Sequence, residues 1–205
     1  MRFLQKYSSA LALALVICSA AFSQNGMELN LNYNVGIPSG SLKDYVNKAS
    51  FRGFTGSIDY AVSSRLRVGL GFGFNDYYQK YPRQVYDEGG NTSVSAVLSN
   101  SIQQYPLIAH ASYELISKGI IKPYIGAGGG VNFISFGQYL GEFGGSASYT
   151  RFLLQGEAGI LIPLSSYSST AVKIGGTYNY APFHEFGTKD LSSWGIQAGI
   201  RFPLH

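Results

Sequence analysis

Residues 28–37 read ELNLNYNVGI, and apolar and polar side chains alternate along this stretch without a break. Leu29, Leu31, Tyr33, Val35 and Ile37 form the apolar set, and three asparagines, a glutamate and a glycine separate them. Successive side chains of a β-strand point to opposite faces, so the stretch predicts a strand with one apolar and one polar face. No window of useful length shows the i, i+3, i+4 spacing of an amphipathic helix.

Seven further segments have the same period of two, and together with the first they predict eight strands. The eight segments are 28–37, 54–62, 66–75, 105–115, 122–136, 151–162, 172–180 and 194–202. The fifth is dense in glycine, so its alternation fits either orientation. Strands of about ten residues suit a tilted crossing of a bilayer. We therefore expect an all-β protein, an eight-stranded antiparallel up-and-down transmembrane β-barrel.

Short and long connections alternate between the predicted strands. The short ones are 63–65, 117–119 and 164–169, and the long ones are 38–50, 77–101, 137–147 and 181–190. Outer-membrane barrels have short periplasmic turns, long outer loops and an aromatic girdle at each interface. The girdle residues expected at the short-turn ends are Tyr60, Tyr113, Tyr124 and Phe202, and those expected at the long-loop ends are Tyr77, Tyr78, Tyr139, Tyr149, Tyr180 and Phe183.

The composition is that of a barrel wall. Only 13% of the residues are charged, where about 25% is usual. Aromatic residues make up 15% of the chain, and 26 residues are glycine. The mean hydropathy is nevertheless only +0.04, because the two faces of each strand cancel in the average. This composition excludes a disordered chain and argues against a helical bundle.

The polar face carries four acids and four bases, and we expect it to line the lumen. These residues are Glu28, Asp59, Glu114 and Glu157, with Arg67, Arg151, Lys173 and Arg201. The interior of an eight-stranded barrel is about filled by side chains, so buried charges there need partners. We predict a structural charge network that plugs the lumen. A soluble lipocalin-like barrel or a β-sandwich would also show period-two alternation, but a polar face rich in glycine and poor in lysine favours a lumen.

The first residues have the order of a secretory signal peptide. Arg2 and Lys6 precede the apolar run 11–18, and small residues follow at 20–23. We expect cleavage near Ser23, which gives a signal peptide at 1–23 and a barrel domain at 24–205. Without Arg2 and Lys6 the 15 bases become 13 against 11 acids, so the basic balance is no sign of nucleic-acid binding. The sole cysteine lies within the signal, so the remaining chain has none.

Candidates for chemistry are few. His110, Ser112 and Glu114 are residue types of a hydrolase triad, and His110-Ala111-Ser112 resembles the His-x-Ser element of outer-membrane lipid A deacylases. Those enzymes need the triad to face lipid, whereas the alternation turns all three residues into the lumen. No histidines have metal-ligand spacing. We therefore expect no catalytic residue, no cofactor and no metal site.

Several short stretches resemble a known family. They are residues 53–60 with 66–74, QYPL at 104–107 and KPYIGAGGG at 122–130. They are similar to the small bacterial outer-membrane β-barrels, which include the transmembrane domain of the porin-like surface protein A and the X-type barrels. The resemblance covers residues 27–204 and implies an eight-stranded barrel. Members of the family usually end on an aromatic residue that signals to the assembly machinery, and here Phe202 would act from an internal position. The tyrosine- and glycine-rich style is similar to barrels of Bacteroidetes-type Gram-negative bacteria.

We expect a non-enzymatic protein of the cell outer membrane, with a structural role or with loops that bind at the surface. A narrow channel for small or apolar molecules is the alternative, and a lipid-modifying enzyme is a weaker one. The expected partners are outer-membrane lipid and lipopolysaccharide, the barrel assembly machinery, and an extracellular ligand at loops 38–50 and 77–101. We expect a monomer that does not bind nucleic acid.

Overall fold

Alternating side chains along the strands produce one continuous sheet. The computed structural model describes residues 26–87, 93–116, 119–140, 143–164, 170–185 and 188–204. The predicted signal peptide lies outside these residues. Within them the elements are β1 (Met27–Pro38), α1 (Leu42–Tyr45), β2 (Ser50–Ala61), β3 (Leu66–Lys80), β4 (Gln84–Asp87), β5 (Ser93–Ala96), β6 (Leu98–Glu114), β7 (Lys122–Leu140), β8 (Phe143–Pro163), β9 (Ala171–Tyr180) and β10 (Ser193–Leu204). No helix among them has the length and apolar character needed to cross a membrane.

Eight of the strands close into a barrel in the order β1-β10-β9-β8-β7-β6-β3-β2. Every neighbouring pair is antiparallel, and β1 closes the sheet by pairing with β10 from Met27↔Leu204 to Pro38↔Ser193. The remaining strands, β4 and β5, form a separate two-stranded sheet in the connection from β3 to β6. The prediction of an eight-stranded antiparallel up-and-down barrel is confirmed.

The two faces of the barrel have opposite polarity. On β1, Leu31 and Tyr33 are 47% and 51% exposed, whereas Asn30 and Asn32 beside them are buried. The same polarity holds over most of the membrane-facing wall, whereas apolar residues also face inward toward the outer end. A lipocalin has the opposite polarity, with apolar side chains inside the barrel, and a β-sandwich has two sheets instead of one closed sheet. The structure therefore matches neither of these alternatives. The outer face is therefore built for contact with lipid.

Two of the predicted long loops are largely strand, so their boundaries were wrong. Segment 137–147 belongs to β7 and β8, which run to Leu140 and from Phe143 and pair as a hairpin. Segment 77–101 contributes to β3 and β6, and it also contains β4 and β5. Backbone pairing continues past the point where apolar alternation ends, because hydrogen bonds hold a hairpin together even where neither face meets lipid.

The wall therefore rises unevenly beyond the long-loop end. β8 pairs with β9 only from Leu154 onward, although β8 begins at Phe143. β3 pairs with β6 as far as Lys80, whereas its pairing with β2 ends at Phe74. The outer parts of β3, β6, β7 and β8 form what we call the outer extension.

Four of the aromatic residues predicted for the girdles face inward instead. Tyr77 and Tyr124 are 1% and 2% exposed, and Phe183 is fully buried. Tyr149 pairs with the inward-facing Ile134 and packs against Phe183. Their position near a strand end was correctly inferred, but their side chains lie on the inner side of the wall. Tyr78, Tyr113, Tyr139 and Tyr180 are exposed on the outer face, as a girdle requires.

Leu70 lies midway along the membrane-facing part of β3 and is 64% exposed. Replacing Leu70 by Arg is expected to lower the free energy of unfolding in lipid vesicles by about 2–4 kcal/mol, because arginine at mid-bilayer is poorly solvated. Ser99→Arg on the outer extension is the control and should cost far less. Urea titrations of both variants measure the difference, and equal stability would contradict contact of this face with lipid.

Candidate functional site in the barrel interior

Two acids and two arginines form a ring at the short-turn end of the lumen. Arg67 Nε lies 2.6 Å from Glu28 Oε2, and its Nη1 lies 2.8 Å from Glu114 Oε1. Arg201 contacts the same two acids, at 3.3 Å and 2.9 Å. Both carboxylates and Arg201 are 3% exposed. This Glu–Arg ring is neutral overall, and each charge has two partners, which buried ions require.

The ring joins four strands because its members are inward-facing residues near the short-turn ends of β1, β3, β6 and β10. Arg201 also donates from Nε to Asn30 Oδ1, at 3.2 Å. β6 and β10 are not neighbours in the sheet, so the contact between Glu114 and Arg201 crosses the lumen. The ring therefore connects opposite walls across the interior.

A second charged group lies next to the ring. His110 Nε2 is 3.0 Å from Asp59 Oδ1, and Lys173 Nζ is 3.2 Å from Glu157 Oε2. Gln197 donates to the same oxygen of Glu157, at 3.3 Å. The Lys173 ammonium also lies 4.9 Å from the centre of the Tyr124 ring, within the range of a cation–π contact. Tyr124 is thus a lumen residue.

Glycine on the inner face leaves space for these side chains. A Cβ at Gly126 would lie 2.7 Å from Glu157 Oε1, and one at Gly175 would lie 2.6 Å from the Tyr124 hydroxyl. At Gly69 a Cβ would collide with Asp59. The glycines of the inner face therefore make a narrow barrel wide enough for paired charges.

A small polar chamber follows the second charged group. Its volume is about 50 Å³, room for about three to five water molecules at roughly 10–15 Å³ each. The charged residues Glu157 and Lys173 line it together with His110 and Ile108. Most other lining side chains are amides and hydroxyls, namely Asn32, Asn34, Thr55, Ser57, Asn75, Gln155, Thr177, Asn179 and Gln197. The chamber is thus suited to water and to small neutral polar groups.

An apolar cluster lies at the outer end of the barrel, and we call it the mouth cluster. Leu42 and Val46 enter it from the β1–β2 connection, and Ala181, Phe183 and Leu191 from the β9–β10 connection. The wall contributes Tyr77, Ile102, Ile108, Ile134, Phe136 and Leu153. Each of these residues is at most 5% exposed. The β1–β2 and β9–β10 connections are therefore not exposed loops above the barrel. Both fold into its outer end.

Edge-on aromatic contacts order the mouth cluster. The ring centres of Tyr45 and Phe136 are 5.2 Å apart, as are those of Tyr149 and Phe183. Both pairs are close to perpendicular, a favoured geometry for aromatic rings. Burial, together with the neighbouring Asp44 carboxylate, raises the pKa of the Tyr45 phenol. Tyr45 is therefore neutral at physiological pH.

Hydrogen bonds join the two connections to each other and to the wall. Ser39 donates its backbone N–H to Ser192 O at 3.0 Å, and the Lys189 N–H is 3.2 Å from Ser41 Oγ. The Asn100 side-chain amide donates to Tyr45 O at 2.9 Å, which fixes α1 to β6. The mouth cluster is thus held by backbone groups as well as by apolar contact.

Seven of the eight charges predicted for the interior network lie together in the Glu–Arg ring and the second charged group. The exception is Arg151, which contacts Glu185 of the β9–β10 connection at 3.1 Å, with side chains 32% and 45% exposed. Arg151 faces inward, but it lies at the height of the mouth cluster, with its guanidinium 5.5 Å from the Phe183 ring centre. The predicted lumen pairing of Arg151 is therefore wrong, because alternation sets the face of a residue and not its height.

Two parts of the site were missed from the sequence. His110 was assigned to the inner face but not to the charge network, although it is the partner of Asp59. The mouth cluster was missed entirely. Its signal was present in Ile102, Ile108 and Leu153, which interrupt the polar face with apolar residues at inward positions. The ambiguous alternation of residues 122–136 has the same origin, since β7 changes from inward glycine to inward Ile134 and Phe136.

The residues considered for catalysis are held in the interior. Ser112 and Glu114 are 7% and 3% exposed, and Glu114 is bound in the Glu–Arg ring. His110 is paired with Asp59. Within the described ranges, no three His, Cys, Asp or Glu side chains are grouped so that they would hold a metal ion.

Glu114 lies within 2.9 Å of both arginines of the Glu–Arg ring. Glu114→Gln leaves Arg67 and Arg201 with one carboxylate between them, so we expect a loss of about 3–5 kcal/mol in unfolding free energy. Ser112→Ala, a buried change on the same strand, is the matched control. The temperature at which heat-modifiable gel mobility changes reports stability, and equal transitions for both variants would contradict a structural role for the ring.

Comparison with known proteins agrees with this architecture. The model of the surface antigen family matches residues 21–193. Neisserial surface protein A is 19% identical, with a TM-score of 0.59 over 87% of this chain and 97% of that one. The outer membrane protein OprG from Pseudomonas aeruginosa is 13% identical, with a TM-score of 0.52 over 89% and 97%. No curated protein matches by sequence. The chain belongs to the surface antigen family, and it is a β-barrel surface protein of the cell outer membrane.

Proposed function

We propose that this protein is a non-enzymatic surface protein whose lumen is sealed and whose outer extension meets extracellular partners as a monomer. The observation that carries the proposal is the pair of seals. The Glu–Arg ring blocks the short-turn end, the mouth cluster blocks the outer end, and between them the described residues line a chamber of about 50 Å³.

The two seals differ in chemistry, which supports a barrier rather than a channel. An ion that crossed the barrel would have to separate four mutually paired charges and then pass an apolar layer formed by residues such as Leu42 and Phe183. An eight-stranded barrel has little interior space beyond its own side chains. A polar solute and an apolar solute would each meet one seal that excludes it.

The orientation of the interior polar residues supports the absence of catalysis. A lipid-modifying enzyme requires its nucleophile and base on the outer face, where the substrate lies. His110, Ser112 and Glu114 all face inward, where His110 contacts Asp59 and Glu114 contacts both arginines of the ring.

The outer extension supports the surface role. Residues on its inner side, among them Tyr77, Ile102 and Phe136, are packed in the mouth cluster, which makes the raised wall part of a core. Of the two loops expected to meet a ligand, 38–50 has its apolar residues turned into the mouth and exposes Lys43, Asp44 and Lys48. Segment 77–101 carries the β4–β5 hairpin, so the proposed contact surface centres on it.

Planar-bilayer conductance tests the seals. The wild-type protein should show no current steps. Leu42→Ser with Phe183→Ser weakens the mouth cluster, and Arg67→Ala with Arg201→Ala opens the ring. We expect either pair alone to stay closed, since one seal remains, and the four changes together to conduct.

Heat-modifiable gel mobility is the control that each variant has folded. Stepwise wild-type current, or swelling of liposomes in small sugars through the wild-type barrel, would overturn the sealed-lumen proposal and favour a channel.

A further inference from the structure

The outward face of the barrel is nearly free of charge, and its few charges lie on one flank. Among the outward-facing strand positions that the structure describes, the charged residues are Arg52, Asp76 and Lys80. All three lie on β2 and β3 at the long-loop end. Neighbouring strands carry uncharged residues at this level, such as Ser101 on β6 and Tyr139 on β7. One side of the barrel is therefore distinguished electrostatically.

Arg52 is held in place while most of its guanidinium remains open. Its Nη1 lies 3.1 Å from Asp76 Oδ2, with the arginine side chain 70% exposed and the aspartate side chain 12% exposed. Ser50 Oγ donates to the backbone oxygen of Asp76 and accepts from the Arg52 N–H. Asp76 thus orients the arginine, and most of the arginine side chain stays accessible.

Two lysines extend the cationic surface above Arg52. Lys80 follows Gln79 at the outer end of β3, and the Gln79 side chain accepts a hydrogen bond from the Asn47 N–H. That bond holds Asn47, the residue before Lys48, at the outer end of β3. Both lysines are exposed. Arg52, Lys48 and Lys80 against Asp76 give this flank a net charge of +2, counted from the residue types.

Aromatic rings cover the wall directly below these cations. Phe54 lies 6.1 Å from Phe72 and 5.9 Å from Phe74, and Phe74 lies 5.2 Å from Tyr105, measured between ring centres. Phe54, Phe72 and Tyr105 are 44–50% exposed on the outer face. The flank is therefore amphipathic along the membrane normal, with apolar rings at acyl-chain depth and cations at headgroup depth.

We propose that this flank, formed by Arg52, Lys48 and Lys80 over the Phe54–Phe74–Tyr105 surface, binds a phosphorylated lipid of the outer leaflet. A guanidinium presents a planar fork that matches phosphate oxygens, and lysines add charge without a fixed geometry. The acyl chains lie on the aromatic surface while the phosphate contacts the cations. The occupant is thus a lipid such as the phosphorylated lipid A part of lipopolysaccharide.

Native mass spectrometry of the full folded barrel in detergent tests the proposal, with bis-phosphorylated lipid A as the probe. Arg52→Gln with Lys80→Gln should lower lipid retention about tenfold or more, since charge-assisted hydrogen bonds to phosphate are lost. The matched control is Arg65→Gln with Lys189→Gln, which removes two charges elsewhere and should leave retention unchanged. Equal retention in the two double variants would overturn the proposal.

A third variant separates lipid binding from a merely structural ion pair. Asp76→Asn also breaks the contact with Arg52 but raises the positive charge of the flank, so lipid retention should stay the same or increase. If Asp76→Asn loses lipid as severely as Arg52→Gln with Lys80→Gln, the flank is a structural pair and the proposal fails.

Two further probes identify the source of the phosphate. Lipid A with its phosphates removed should be retained about tenfold less by the wild-type protein, for the same loss of charged contacts. Equimolar inorganic phosphate should not displace lipid A, because it cannot use the aromatic surface. Displacement by inorganic phosphate, or equal retention of the dephosphorylated lipid, would contradict a phospholipid-type occupant.

Discussion

The pairing of the first strand with the last is the constraint on which the rest of the structure depends. β1 and β10 are joined from Met27↔Leu204 to Pro38↔Ser193, and this contact turns an open sheet into a barrel. In lipid an open edge would leave backbone groups without partners, so closure is obligatory. With eight strands, closure also makes the interior narrow. Every inward charge must then find another protein group, which is why Glu28, Arg67, Glu114 and Arg201 meet.

The membrane-facing part of the fold was predictable because lipid imposes a strict pattern. Along β1 the predicted strand 28–37 differs from the observed Met27–Pro38 by one residue at each end. The outer extension was not predictable in the same way. Above the membrane a strand needs no apolar outer face, so Ser146, Ser148 and Thr150 of β8 follow no lipid pattern, and backbone pairing alone continues the strand. The alternation of apolar and polar residues therefore indicates which environment each face of a strand meets. It indicates the strand itself only indirectly.

The interior was predictable in its composition and not in its contacts. Alternation placed Glu114 and Arg201 on the inner face, but their meeting across the lumen depends on strand tilt and register, which no local pattern contains. Arg151 is a second example, because alternation correctly places it on the inner face. It lies too close to the outer end of the barrel to reach the Glu–Arg ring, and it contacts Glu185 instead. The burial of loop residues such as Leu42 and Phe183 was harder still to predict. The sequence of a buried connection resembles that of an exposed one, because the cavity that receives its apolar residues is formed by other parts of the chain.

The mouth cluster has a mechanical consequence for the seam of the barrel. The β1–β2 connection leaves the outer end of β1, and the β9–β10 connection arrives at the outer end of β10, so both begin at the seam. The Ser39–Ser192 hydrogen bond extends the ladder past the last strand pair, and Leu42 and Leu191 share one buried cluster beyond it. The two chain-terminal strands are thus tied together twice, once by their ladder and once by the core above it. Separating them at the outer end requires both connections to leave the mouth, which places the seam among the last parts of this barrel to open under force.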